Sequence, residues 1–236
     1  MMEKGTIKKD AVKKEIVKKE IVKKGAIFDM DGLLFDTERV YRSVWSSPAP
    51  EYIPEVNPEV AEAVCGTSGE HLEKILKNYY PGVDAKAYIC YVLDKVEELL
   101  KQEVPKKPGC EEILSWLHEH GFGIAVASSS RRSLIESNLK IAGVFQYFDA
   151  IVSGAELKHS KPAPDIFLLA AEQLGLAPEE CYVFEDGYNG IRAGAAAGCA
   201  TIMIPDLSVP TEEMRILCAG IYPDLGEALK VIAGEK

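Results

Sequence analysis

From Lys24 onward the chain is punctuated by five short apolar runs, each closed by Gly, Pro, Ser or Asp: Gly25–Asp29, Gly123–Ser128, Ala150–Ser153, Cys181–Asp186 and Ala200–Pro205. Short apolar runs of this kind are the pattern of strands covered on both faces, the condition of a parallel sheet. Helix-like stretches follow or separate them, at Pro108–His120, Arg132–Ala142, Pro164–Leu174 and Gly190–Ala197. Parallel neighbours need a crossover, and a helix of this length supplies one. The expected fold is therefore α/β, an open, Rossmann-like parallel sheet. Such sheets bind ligands beyond the carboxyl ends of their strands, near the point where strand order reverses.

One interval breaks the rhythm. More than 90 residues separate the first two runs, and residues 37–104 hold only helical stretches: Arg39–Trp45, Pro58–Val64, Gly69–Tyr79 and Ala85–Lys101. The expected organisation is a core from 24–36 and 105–236 with an inserted helical cap at 37–104, placed as a lid over the first strand's exit. Asp36-Thr37-Glu38 and Val104–Gly109 would be its hinges. Residues 1–23 stand outside. Their five-residue repeat of apolar pairs and lysines advances a helix by about 500° per repeat, so no apolar stripe forms. A solvated tail is the expectation.

Charge narrows the partners. The total is −10, yet residues 1–24 carry nine lysines against four acids, which leaves −15 for the rest. A body that acidic is a poor nucleic-acid binder. No apolar stretch approaches the roughly 20 residues that span a bilayer. The six cysteines (65, 90, 110, 181, 199 and 218) are scattered without metal-site spacing, as in a cytoplasmic protein with free thiols. A monomer or weak dimer is expected.

The chemistry starts where the first run ends, at Asp29-Met30-Asp31-Gly32-Leu33-Leu34-Phe35-Asp36-Thr37-Glu38. Side chains alternate along a strand, so Asp29 and Asp31 point to one side. Two crowded carboxylates repel unless a cation or a shared proton lies between them. A calcium loop would continue with oxygen ligands and place its glycine sixth; here glycine is fourth and Leu33-Leu34-Phe35 follow. Three later segments add complementary groups at other strand ends. Ala125–Ser130 ends in three hydroxyls, Ser160-Lys161-Pro162 offers a lysine, and Phe184-Glu185-Asp186-Gly187-Tyr188-Asn189-Gly190 offers two acids. Taken singly these have ordinary readings: a helix cap, a surface lysine, a turn. Together they set carboxylates, hydroxyls and a cation on one edge of one sheet.

In this order the four segments resemble the motifs of the haloacid dehalogenase superfamily, in the capped branch of β-phosphoglucomutase and phosphoglycolate-type phosphatases. The resemblance covers roughly residues 24–234. It implies that Asp29 is the nucleophile on phosphorus and that Asp31 protonates the leaving group and then activates water. It implies Mg²⁺ held by the Asp29 side chain, the Asp31 backbone carbonyl and Asp186, with Glu185 as an outer or alternative ligand. Ser128, Ser129 and Lys161 would hold the phosphoryl oxygens. In the mutases a cap loop carries two basic residues for a second phosphate. The segment that looks equivalent here has Cys65 and Gly69 at those places, and Tyr41 stands where the family has a hinge histidine. Gly66, Thr67, Ser68 and Gly69 are thus the expected specificity loop.

The expected activity is a Mg²⁺-dependent phosphatase acting on a small phosphorylated metabolite, a sugar or polyol phosphate. A phosphosugar mutase is the alternative, with Lys74 and Lys77 as substitute cap cations. A receiver-like phospho-acceptor domain is the non-enzyme alternative, disfavoured by Asp31 and by the insertion. No G-x-G-x-x-G follows the first strand, which argues against NAD.

Overall fold

A computed structural model describes residues 22–64, 67 and 69–234. Its centre is a six-stranded, fully parallel sheet of order β3-β2-β1-β4-β5-β6. The strands are β1 (Gly25–Phe28), β2 (Gly123–Ser128), β3 (Ala150–Ser153), β4 (Cys181–Glu185), β5 (Ala200–Met203) and β6 (Gly220–Ile221). The first five lie where the apolar runs predict. β6 has only two half-exposed residues and no run to announce it.

β1 is buried at every position because both faces of the sheet are covered. Ala26 and Phe28 pack into one cluster and Ile27 into the other, the alternation that a strand requires. Phe28 stacks on Phe184 of β4, with ring centroids 4.5 Å apart and planes 4° from parallel. This apolar pair floors the space where both strands end.

Four helices fill the long interval: α1 (Thr37–Trp45), α2 (Val60–Ala63), α3 (Gly69–Tyr79) and α4 (Ala85–Leu100). The sheet's own helices are α5 (Cys110–Glu119), α6 (Arg132–Ile141), α7 (Asp165–Gln173), α8 (Tyr188–Ala197), α9 (Glu212–Leu217) and α10 (Leu225–Ile232). Among the described residues no helix is long and apolar enough to cross a membrane. Residues 1–21 of the expected tail lie outside the described residues. Lys23, the last residue of that tail, and Lys24 reach the Glu179 carbonyl and the Glu180 carboxylate.

The two crossings between sheet and insertion run side by side. Asp36 donates its N–H to the Pro105 carbonyl (2.8 Å), and Lys107 donates to the Leu34 carbonyl (2.9 Å). Lys107 also pairs with Asp206 beyond β5, at 2.7 Å and largely buried. Both crossings are thereby tied to the carboxyl edge of the sheet.

Within the insertion, Tyr88 of α4 is fully buried. Trp45 and Tyr80 meet its ring edge-on, while Tyr52 stacks against it. Its hydroxyl has no hydrogen-bond partner among the described residues. A buried, unpaired polar group costs about 1–3 kcal/mol. Tyr88→Phe should therefore hold or raise the melting temperature, whereas Leu76→Ala, at a fully buried position of the same cluster, should lose about 2–5 kcal/mol. Thermal unfolding of both variants checks this, and a clear loss in Tyr88→Phe would show that the hydroxyl is bonded after all.

Candidate functional site

Strand order reverses between β1 and β4, and the polar residues collect at that point, at the carboxyl ends. Asp29 follows β1 directly and donates its N–H to the Phe184 carbonyl at 3.0 Å. Ser128 ends β2, Glu185 ends β4 and Asp186 is next. Lys161 comes from the loop that leads into α7. Asp29, Asp31, Ser128, Ser129, Lys161, Glu185 and Asp186 all line one cavity of about 600 Å³. The four segments converge as their chemistry required.

Lys161 is the centre of the cluster. Its buried ammonium donates to Asp29 Oδ1 (2.5 Å), Glu185 Oε1 (2.7 Å) and the Ala127 carbonyl (3.1 Å). An ammonium has three protons, so all are used. The second oxygen of Glu185 accepts the Gly187 N–H at 2.9 Å. Both Glu185 oxygens thus accept from protein donors, one of them the Lys161 ammonium, which makes this residue the lysine's counter-ion alongside Asp29. The carboxylate occupies the place a side chain on Gly190 would need: a Cβ there would stand 1.7 Å from Glu185 Oε1.

Asp31 is held in a different way. Thr37 donates to its Oδ1 (3.1 Å), while Ser130 (2.9 Å) and Ser128 (3.3 Å) donate to Oδ2. None of these donors carries a charge. A hydroxyl can turn from donor to acceptor, so the cage suits both the ionised and the protonated acid. Burial pushes the Asp31 carboxyl above its ordinary value of 3.8, against the hydroxyl bonds that favour the ion. Thr37, Ser130 and the Ser153 behind them were not legible as site residues: Ser130 and Ser153 meet their partners across separate loops, and the Thr37 contact needs the turn from β1 into α1 to bring residues six apart together. The one local signal was the run of three serines that ends β2.

Negative charge exceeds positive charge in the cavity. Asp29 is pushed up to about 7, because burial and the nearby Glu185 and Asp31 outweigh the Lys161 that it shares with Glu185. Lys161 itself is driven further towards the ammonium form by its two carboxylates. Asp186 is pushed up to about 9 by burial and by Glu185, Asp29 and Asp206. The turn at Gly32 (φ 86°) passes so close that a Cβ would meet Asp186 Oδ2 at 2.6 Å. Among the described residues no three His, Cys, Asp or Glu side chains form a metal cluster. Asp29 and Asp186 both line the cavity, and carboxylates with a backbone carbonyl and water are the donors a hard cation takes. Asp29, Asp186 and the Asp31 carbonyl fit Mg²⁺ as a donor set.

The cap loop is a different matter. Cys65, Gly66 and Ser68 lie outside the described residues. Thr67 turns its hydroxyl back to the Val64 carbonyl (2.6 Å), and Gly69 opens α3 in a left-handed conformation. Neither lines the cavity around Lys161.

The haloacid dehalogenase-like hydrolase family model matches residues 26–204. Fructose-1-phosphate phosphatase YqaB of Escherichia coli is 35% identical over 176 residues, which is 74% of this chain and 92% of that one. Hexitol phosphatase A of the same species is 32% identical over 195 residues, covering 81% and 86%. A haloacid dehalogenase family hydrolase of Deinococcus radiodurans, solved with phosphate and sodium bound, superposes with a TM-score of 0.76 at 25% identity. The superposition covers 91% of this chain and 97% of that one. With the family model spanning about three quarters of its length and the four motif segments meeting at one sheet edge, the chain belongs to the haloacid dehalogenase-like hydrolases.

Proposed function

We propose that the protein is a Mg²⁺-dependent phosphatase that hydrolyses a small sugar or polyol phosphate through an aspartyl phosphate on Asp29. The observation that carries this reading is the contrast between two neighbouring carboxylates, Asp29 against a fixed ammonium and Asp31 inside three hydroxyls. Carboxylates whose surroundings differ in this way divide nucleophile from acid. The relatives named for fructose 1-phosphate and hexitol phosphates support the substrate class. A second cavity, of about 470 Å³, shares Ser129 with the first and is walled by Tyr41, Leu93, Val96 and Leu134. It has room for a small organic group.

In the first half-reaction an Asp29 oxygen bonds to phosphorus as the ester P–O bond breaks. Asp31 gives its proton to the departing oxygen. In the second, water bonds to phosphorus, Asp31 takes the water's proton, and Asp29 leaves as a carboxylate with inorganic phosphate. Lys161 offsets charge on the phosphoryl oxygens, and Ser129, exposed at the cavity, is placed to donate to them. Mg²⁺, when bound by Asp29, Asp186 and the Asp31 carbonyl, screens the dianion from the attacking carboxylate.

Asp29→Asn should remove turnover on a panel of sugar and polyol phosphates with Mg²⁺, and retained activity would sink the mechanism. The same panel should include β-glucose 1-phosphate with a bisphosphate primer. Its conversion to glucose 6-phosphate without phosphate release would make the protein a mutase.

The raised carboxylates also predict how Mg²⁺ stabilises the fold. Burial and neighbouring carboxylates push Asp29 up to about 7 and Asp186 up to about 9, from 3.8 ordinarily. Each therefore contributes stability that is complete below about pH 4 and is lost as pH rises through its folded value. Mg²⁺ binds the deprotonated forms, so its stabilisation grows over the same window. The rise in melting temperature on adding millimolar Mg²⁺ should be larger at pH 8 than at pH 5. Equal increments would contradict the assignment of these two ligands.

A further inference from the structure

We infer that Ser130, its backbone carbonyl fixed by the buried Ser153, positions the Asp31 carboxyl group toward the departing oxygen of the ester. The inference rests on the reading of Asp31 as proton donor and adds two residues to it. Ser130 is held at three points. Its N–H donates to Ser128 Oγ at 3.0 Å, its carbonyl accepts from Ser153 Oγ at 2.8 Å, and its own hydroxyl donates to Asp31 Oδ2 at 2.9 Å.

Ser153 ends β3 in register with Ser128 and is 1% exposed. At Gly154, which follows it, a Cβ would stand 3.2 Å from the Ser129 backbone, so the two loops lie in close contact. The ordinary job of a serine before a helix is to cap it. Here the capping residue of α6 is Arg131, with extended backbone and no side-chain cap bond. The Ser130 hydroxyl is spent on Asp31.

The two sides of Asp31 are unlike. Thr37 is the first residue of α1 and belongs to the helical insertion, whereas Ser153 ends β3 and Ser130 lies in the loop that follows β2, tied to Ser153. If the insertion shifts during turnover, the Thr37 bond shifts with it while the serine pair keeps its place. Ser128 contributes only a longer contact to the same oxygen. Removing Ser130 would leave the carboxyl group held mainly by Thr37, on the side of the insertion.

The test separates positioning from general damage by leaving group. A nitrophenolate departs without a proton, whereas a sugar or polyol oxygen needs one. The first half-reaction is followed in single turnover with enzyme in excess, using p-nitrophenyl phosphate and the best aliphatic ester of the panel. Ser130→Ala should slow release of the aliphatic alcohol by about tenfold, a fraction of the usual worth of a general acid. Nitrophenol release should change by no more than about twofold on the same grounds. KM for the aliphatic ester should stay near the wild-type value, Ser153→Ala should reproduce a smaller form of the effect, and Ser130→Thr should restore the rate. Equal slowing of both esters by Ser130→Ala, in a variant with wild-type melting temperature, would overturn the inference. The parallel Asp31→Asn measurement tells the two failures apart. If that variant also slows both esters alike, the proton-donor role fails; if it slows only the aliphatic ester, Ser130 alone has been misread.

Discussion

Everything at the carboxyl edge of the sheet is arranged around one buried ammonium. Lys161 reaches the β1–β4 junction from the loop before α7 and spends its three protons on Asp29, Glu185 and the Ala127 carbonyl. A lysine buried alone would lose its charge; this one is held charged by two carboxylates. The dependence runs both ways. Glu185 can lie across the start of α8 only because position 190 is glycine. Asp29 can sit one residue beyond β1 because Phe28 and Phe184 stack beneath it.

That lysine also explains how two aspartates two residues apart acquire different chemistry. Asp29 faces a charge that cannot turn into an acceptor, so the oxygen it offers Lys161 must remain without a proton for that bond to persist. Asp31 faces Thr37, Ser128 and Ser130, whose hydroxyls can follow a proton on or off. The surplus of negative charge that remains, centred on Asp29 and Asp186, is what a divalent cation would neutralise.

Much of this was legible in the chain. The strands could be read because burial on both faces removes polar residues from them, and the insertion because residues 37–104 contain no such run. β6, α9 and α10 were not read, since β6 is two half-exposed residues and α9 six residues long. Asp29, Asp31, Lys161 and Asp186 were legible as a group through their order and their strand-end positions. Glu185 was ambiguous, because two adjacent acids do not declare which one faces the lysine. Gly190, with no side chain to fill that space, was the signal. Thr37, Ser130 and Ser153 were hidden for a plainer reason: a hydroxyl at a helix start or strand end reads as a cap until its partner is known, across another loop for Ser130 and Ser153 and across the β1–α1 turn for Thr37. The cap loop at Cys65–Gly69, read as the specificity segment, lies partly outside the described residues and does not line the cavity where it is described.

The central claim is that a phosphoryl group passes through Asp29. The most direct test quenches the enzyme during turnover, reduces any acyl phosphate with borohydride and locates the converted aspartate by mass spectrometry. The account predicts conversion at position 29 alone. Conversion at position 31 or 186, or phosphate carried on Ser128 or Ser129, would contradict it.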